Sequence, residues 1–393
     1  MNVVLLGIGL QGRAVLHDLV KNSDFKNIIA IDNDPRKINW AHRNFEDGRV
    51  KIIKFDISQK GSLDNFIRNY GKGVIIDMLP ASFMEMISEI AVNNDWHYVN
   101  TNYTVDNIFK LDSKARDKNL TILPEFGLDP GIDLVMAKDA ISKMDTVKKY
   151  NSYGAGIPEK KACTNPLKYK ISWNINSLIN SYSRKAKIIS ESNLVEIPAE
   201  NIFDNKWIHK ISIENVGQLE AFPNGDVEKY LKMAEFENIE EAGRYTMRWP
   251  GHSKFWNKIA KLGLLKDKNI KVKGKDVPQR TLLAKLLDNE ELQYKEDEKD
   301  LSIIKVNITG NKDEENIKIT YDLIDERDFE CDLYSMQRTV GFAASIGAQM
   351  IEQGSISKRG IISPLLDIDY SELKNELEDR DIKINEKIEK IDD

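Results

Sequence analysis

Cysteine is nearly absent: Cys163 and Cys331 are the only two in 393 residues, far apart and without a neighbouring thiol or histidine pattern. That excludes a disulfide framework and a structural zinc site, fits a reducing cytoplasm, and leaves both thiols as structural residues. Histidine is also scarce, five in all and never in an H-x-x-x-H pair, so no metal site is expected. No apolar run approaches the roughly 20 residues of a membrane helix. The opening MNVVLLGIG has neither the charged region nor the cleavage site of a signal peptide. A soluble cytoplasmic protein with no membrane partner is therefore expected. Basic charge is not in excess either. The formal net charge is -6, with Lys and Arg mixed among Asp and Glu throughout, which offers no stripe for a phosphate backbone and argues against nucleic acid. There is no internal repeat, P-loop or Ser-His-Asp elbow.

What is present begins with glycine. NVVLLG is a short apolar run, and the Leu10, Ala14, Val15, Leu19 spacing after it predicts a helix. Gly7, Gly9 and Gly12 give G-x-G-x-x-G in this strand-to-helix setting, and NIIAIDND supplies a second strand ending at Asp32, twenty residues past Gly12. One glycine suits the turn, one lets backbone N–H groups approach a diphosphate, and one permits close helix–strand contact. A carboxylate is then placed for the ribose hydroxyls. Gly7, Gly9, Leu10, Gln11, Gly12 and Asp32 are thus expected to bind a dinucleotide. A glycine turn serving packing alone, with Asp32 only entering a loop, explains less. Asp32 favours NAD by repelling a 2′-phosphate, although Arg36 and Lys37 lie near enough to admit NADP.

Further apolar runs, VKIIKFDIS, GVIIDMLP, HYVNTNY and LTILPEFG, each follow a helical stretch. They predict an α/β fold whose first part is a Rossmann-type doubly wound parallel sheet of six strands in the order 3-2-1-4-5-6. Ligands of such sheets lie beyond the carboxyl ends of the strands. Those ends bring in Asp56, Leu79 and Pro80 as cofactor-side candidates, then Asn102–Tyr103 and Glu125 onward.

The last of these ends, PEFGLDPGIDL, concentrates acid and punctuation. Asp129 reads as a helix N-cap, with Pro130 at the first helical position and Asp133 in the first turn. A cap alone and a cap with an active-site role both fit Asp129, but neither accounts for Glu125, which joins the substrate-binding candidates.

From about residue 149 short strands divided by Gly, Pro and Asn predict a mixed or antiparallel sheet, hence a second, α+β domain for substrate binding and dimerisation. The expected division is 1–128 for the dinucleotide domain, 129–350 for the substrate domain, and 351–393 for charged C-terminal helices packing back on the first domain. Within GRYTMRWPGHSKF, alternation puts Arg244 and Arg248 on one strand face, able to clamp a carboxylate or simply to be surface arginines. His252 after the turn reads as a general base or a satisfied loop histidine, and Arg338 as another carboxylate partner.

Six segments in order, EFGLDPGIDLVMAKDAI, YGAGIP, NPLKYKISW, FPNGDVEKY, RYTMRWPGH and MQRTVGFAASIGAQMI, resemble the saccharopine dehydrogenase family, including its lysine 6-dehydrogenase branch. The likeness spans nearly the whole chain and implies a Rossmann domain, a C-terminal substrate domain and often a homodimer. It implies that Tyr103, Asp129 and the Leu79–Pro80 loop line the nicotinamide and substrate cleft. The expected chemistry is NAD(P)-dependent oxidation at a CH–NH bond of a small amino-acid substrate, with Asp129 handling protons through burial, assisted by Tyr103 or His252. Arg244 and Arg248 would hold the substrate carboxylate. Two positions depart from the family: its Y-C-G-G-L-P reads YGAGIP, placing Gly154 where a cysteine is usual, and its N-R-D-S reads NGDV, placing Gly225 where an arginine is usual. A carboxyalkyl-polyamine dehydrogenase and a non-catalytic NAD(P)-binding regulator remain alternatives.

Overall fold

The computed structural model describes residues 1–58, 61–236 and 238–392. The chain divides into two compact units, one formed by Met1–Lys138 with Gln337–Ile382, the other by Asp139–Met336 with the chain from Lys383 onward.

In the first unit, β1 (Asn2–Leu6), β2 (Asn27–Asp32), β3 (Val50–Lys54), β4 (Gly73–Asp77), β5 (His97–Asn100) and β6 (Thr121–Leu123) run parallel in the order 3-2-1-4-5-6, as expected. Val3, Val4, Leu5 and Leu6 are all fully buried, so β1 is apolar on both faces. That is the signature of a parallel sheet covered on both sides by helices. Helix α1 (Leu10–Asn22) follows β1, and α2 (Pro35–Asn44) follows β2. A seventh strand, Gly360–Ile361, extends the sheet beyond β6 and comes from the far end of the sequence. The late segment is also tied to α1. Arg380 Nε donates to Asp18 Oδ1 at 2.6 Å and Gln349 Nε2 donates to Asp18 Oδ2 at 2.9 Å, all buried.

The second unit is built on a nine-stranded mixed sheet. Glu241–Arg248 pairs parallel with Thr146–Pro158, which pairs antiparallel with Asp300–Lys312. The long hairpin of Asp300–Lys312 and Glu315–Glu326 turns through Asp313 and Glu314, both at positive φ, 50° and 66°. Two successive positive-φ residues match the right-handed twist of the strands they join.

The expected boundaries at 128 and 350 differ from this division in two ways. Helix Ile132–Ser142 begins with a buried run, Ile132, Leu134, Val135, Met136 and Ala137 being entirely buried around Asp133, and residues up to Lys138 group with the first unit. At the other end, Tyr370–Glu378 is the expected charged helix of the first unit, but Ile384–Lys390 is a strand on the edge of the second unit's sheet, antiparallel to Glu315–Glu326. The tail is thus split between the two units rather than packed wholly on the first.

Candidate active site

The turn after β1 has the form the glycines predict. Gly7 sits at φ +96°, and a Cβ there would come within 3.0 Å of the Leu79 side chain. A Cβ on Gly12 would run into the Gly7 carbonyl oxygen, so only glycine lets α1 approach the strand this closely. A Cβ on Gly9, by contrast, meets no atom within 4 Å, and α1 has no side-chain cap at its N-terminus. The first-turn amides of Leu10, Gln11 and Gly12 therefore keep their donors for a ligand, and the open side of Gly9 gives a diphosphate room to reach them. The residues present fit a dinucleotide.

Asp32 is more engaged than the sequence suggested. It is buried; Oδ2 accepts from Ile8 N at 2.8 Å, Oδ1 accepts from Asp34 N at 2.9 Å, and Lys37 Nζ lies 3.1 Å from Oδ2. The carboxylate braces the glycine turn and carries its own cation. Asp34 caps α2 through Arg36 N and pairs with Arg36 Nη2 at 2.8 Å, and these hydrogen bonds from Arg36 hold its carboxyl down at about 2. Asp56 is exposed beyond β3, where its Oδ1 accepts from Ser58 N at 2.9 Å.

The ends of β4, β5 and β6 are bound to one another. Leu79 N donates to Asp77 Oδ1 at 3.0 Å, and Leu79 O accepts from Asn102 Nδ2 at 3.1 Å; Pro80 opens the next turn. Tyr103 OH donates to Asp129 Oδ1 at 3.3 Å, so two residues singled out 26 positions apart meet. Glu125, expected to bind substrate, is instead a brace. It is 2% exposed, at φ +59°, and its Oε1 accepts from Thr104 N at 2.8 Å. Such a conformation is costly for a residue with a Cβ and marks a place where surrounding contacts dictate the backbone. Sequence reasoning passed over Asp77, which reads as an ordinary strand end.

The cap reading of Asp129 is corrected. The helix starts at Ile132, three residues later. Gly127 N donates to Pro130 O and Ile132 N to Gly127 O, both at 2.9 Å, closing a tight loop over residues 127–132. Gly131, at φ +144°, packs so closely on Gly127 that a Cβ would overlap it, and Gly131 N donates to Asp133 Oδ1 at 2.9 Å. Asp129 is left exposed at the tip of this loop, not buried as its proton-handling role was expected to need.

In the second unit Arg244 and Arg248 are buried, 2% and 5% exposed, which removes the surface-arginine alternative. The Arg244 guanidinium lies 4.8 Å from the Tyr230 ring and that of Arg248 5.3 Å from the Tyr169 ring. Arg248 Nη1 donates to Met247 O, its Nε has no partner, and among the described residues no carboxylate pairs with it. Gly225 lies alongside Arg244: a Cβ there would be 3.7 Å from Arg244 Cβ. His252 belongs to an aromatic core, its Nε2 2.8 Å from Tyr182 OH and its ring stacked with Phe222. Burial, then the Arg248 charge, pushes its pKa well below the ordinary histidine value, and its contacts are those of a packing residue. Arg338, in the first unit, donates from Nη2 to Arg380 O at 3.0 Å and fastens the C-terminal segment.

Residues 3–123 match the saccharopine dehydrogenase NADP binding domain, and residues 127–382, more than half of the chain, match the saccharopine dehydrogenase C-terminal domain. The chain belongs to the saccharopine dehydrogenase family. The resemblance of its motifs to that family as a whole is borne out. It is 31% identical over 251 residues to the alpha-aminoadipic semialdehyde synthase of Arabidopsis thaliana, across 61% of this chain and 23% of that protein. It is 24% identical over 290 residues to the Saccharomyces cerevisiae saccharopine dehydrogenase [NADP(+), L-glutamate-forming], across 73% of this chain and 63% of that one. The matched region thus spans less than two thirds of these relatives. Among solved structures, the apo saccharopine dehydrogenase (L-Glu forming) of Saccharomyces cerevisiae has the same fold over 99% of both chains, with a TM-score of 0.84 at 21% identity. The homospermidine synthase of Legionella pneumophila, solved with NAD, shares it over 98% of this chain and 91% of that one, with a TM-score of 0.64 at 13% identity.

Proposed function

We propose that the chain is an NAD(P)-dependent oxidoreductase acting on the CH–NH bond of an amino-acid substrate. The observation that carries this reading is a shared edge. The open glycine turn follows β1, and the hydrogen-bonded Tyr103–Asp129 pair follows β5 and β6, at the carboxyl ends of one sheet. Family membership supports the same chemistry.

A nicotinamide coenzyme held by the Gly7–Gly12 turn and the first-turn amides of α1 would supply the acceptor for a hydride from the substrate carbon, leaving it as an imine. Water then adds to the resulting C=N bond, releasing an amine and a carbonyl compound, with one proton left over. Tyr103 orients the Asp129 carboxylate through its hydrogen bond to Oδ1, and Asp129 takes protons from the substrate ammonium and the attacking water. Arg248, with which no carboxylate among the described residues pairs, would hold a substrate carboxylate together with Arg244. Lys37 beside Asp32, and the exposed Arg36, favour NADP over the NAD that an unaccompanied Asp32 would select.

A second reading, a substrate with one carboxylate fewer, is favoured by Gly225, which brings no cationic side chain to this position, where the family usually carries an arginine. The deciding experiment follows absorbance of reduced nicotinamide with saccharopine, lysine and carboxyalkyl polyamines, each with NADP and NAD. Oxidation of a secondary-amine amino acid, faster with NADP, is the expected result; no absorbance change with any amine and either coenzyme overturns the proposal. The proposal includes a homodimer in a reducing cytoplasm, in keeping with two free cysteines, with sedimentation velocity as the check on mass.

A further inference from the structure

The dehydrogenase reading leaves one buried acid of the coenzyme unit without a task. Asp77, the last residue of β4, is fully buried. Its Oδ2 accepts from Tyr98 OH at 2.7 Å and from Asn100 Nδ2 at 3.1 Å, while Oδ1 accepts from Leu79 N at 3.0 Å. Among the described residues the one titratable group hydrogen-bonded to it is Tyr98, and no cation pairs with it. Burial pushes the carboxyl up to about 6, against the pull of those three hydrogen bonds. A lone buried carboxylate is a poor way to stabilise a fold, since an apolar residue of similar size costs nothing to desolvate.

The network reaches the residues that matter for the coenzyme. Asn100 Nδ2 also donates to Asp77 O at 3.0 Å, and Asn100 Oδ1 accepts from Asn102 N at 2.6 Å. Asn102 Nδ2 in turn donates to Leu79 O at 3.1 Å, and Asn100 O accepts from Phe126 N at 2.9 Å. Three neighbouring strand ends are thus fastened around one carboxylate. Tyr103 is held from both sides: the amide before it by Asn100, the amide after it by Glu125.

We propose that Asp77 is a positioning residue that sets the loops after β4 and β5, so that Leu79, Pro80 and Tyr103 meet the reactive ring of the coenzyme, while the glycine turn alone supplies the diphosphate grip. Its bearing on turnover rests on the dehydrogenase reading, but ring placement is measurable without turnover. The hydrogen bonds separate the two tasks: those of Asp77 run to Leu79 and the β5 end, whereas the amides of Leu10, Gln11 and Gly12 open α1 after β1, and the link between the two is the Leu79 side chain packed beside Gly7.

The test uses the full chain with Asp77→Asn and, separately, Tyr98→Phe, titrated with NADPH. Dissociation constants come from calorimetry, ring environment from the emission maximum and lifetime of bound NADPH. Asp77→Asn is expected to keep Kd within about threefold and to lose most of the emission shift of the bound ring. At saturating coenzyme its kcat falls about tenfold or more, with the coenzyme KM little changed. Tyr98→Phe, which removes one donor and keeps the carboxylate, moves in the same direction by less, and decides the matter if Asp77→Asn does not fold. A folded variant with wild-type emission and lifetime overturns the inference, as does a Kd that weakens in step with the ring signal. If the wild type binds NADPH with a shifted emission but oxidises no amine, the dehydrogenase reading fails and the emission of the variants still decides the role of Asp77.

Discussion

Tyr103 and Asp129, which close different strands of the same sheet, are joined by a 3.3 Å hydrogen bond from the tyrosine hydroxyl to Oδ1. The pair gives the carboxyl edge of the coenzyme sheet an acid whose orientation is fixed and which remains exposed. Asp129 is not a helix cap, so its replacement should cost none of the ~1 kcal/mol that loss of a cap does. Asp129→Asn is therefore expected to lower kcat by about 10²–10⁴ while leaving thermal stability and coenzyme Kd close to wild type. Steady-state kinetics beside thermal denaturation check this; equal turnover would remove Asp129 from the chemistry.

Lys37 decides how Asp32 treats a ribose substituent. Its ammonium lies 3.1 Å from Oδ2 and offsets the carboxylate charge, which on the proposed reading admits a 2′-phosphate. Lys37→Ala should shift the NADP to NAD ratio of affinities about tenfold toward NAD. Calorimetry with both coenzymes measures it, and an unchanged ratio would assign selectivity elsewhere.

His97 carries a pH signature. Its Nδ1 accepts from buried Thr121 N at 3.0 Å, so the ring must be neutral there, and burial, with the Arg359 charge adding to it, lowers its pKa to about 4 from 6.5. A depressed folded-state pKa means that the unfolded chain binds the proton first. The stability this site contributes is present above about 6.5 and is lost as pH falls toward 4, on the order of 3 kcal/mol in full. Asp77 and Asp300, both raised to about 6 mainly by burial, act in the opposite sense, since their native forms favour the proton as pH falls through 6 toward 4. The sum in the wild type is therefore muted, and the clean reading is the His97 ring resonance by NMR, expected to stay neutral to about pH 4. Titration near 6.5 would contradict the geometry.

Much of the coenzyme unit was legible because parallel strands buried on both faces are written as uninterrupted apolar runs, and because Gly7 and Gly12 answer to backbone geometry that no other residue tolerates. The tail was not. Ile384 and Ile388 stand four apart and suggest a helix face, whereas the segment is an edge strand whose charges keep its open side from pairing. Asp129 deceived for a related reason: an Asp-Pro before an apolar stretch has the chemistry of a cap, but Gly131 and Asp133 close the loop first and move the helix start to Ile132. The roles of Glu125, His252, Arg338 and Asp77 depend on which backbone amide, ring or carbonyl each side chain meets in three dimensions, and spacing along the sequence carries no record of that.

The most direct test of the account is calorimetric titration of the purified chain with NADPH and with NADH. One coenzyme per chain is expected, bound more tightly as NADPH, with binding abolished by Gly12→Val, whose side chain would collide with the Gly7 carbonyl oxygen. Absence of binding by either coenzyme to the folded wild-type protein would contradict the account at its root.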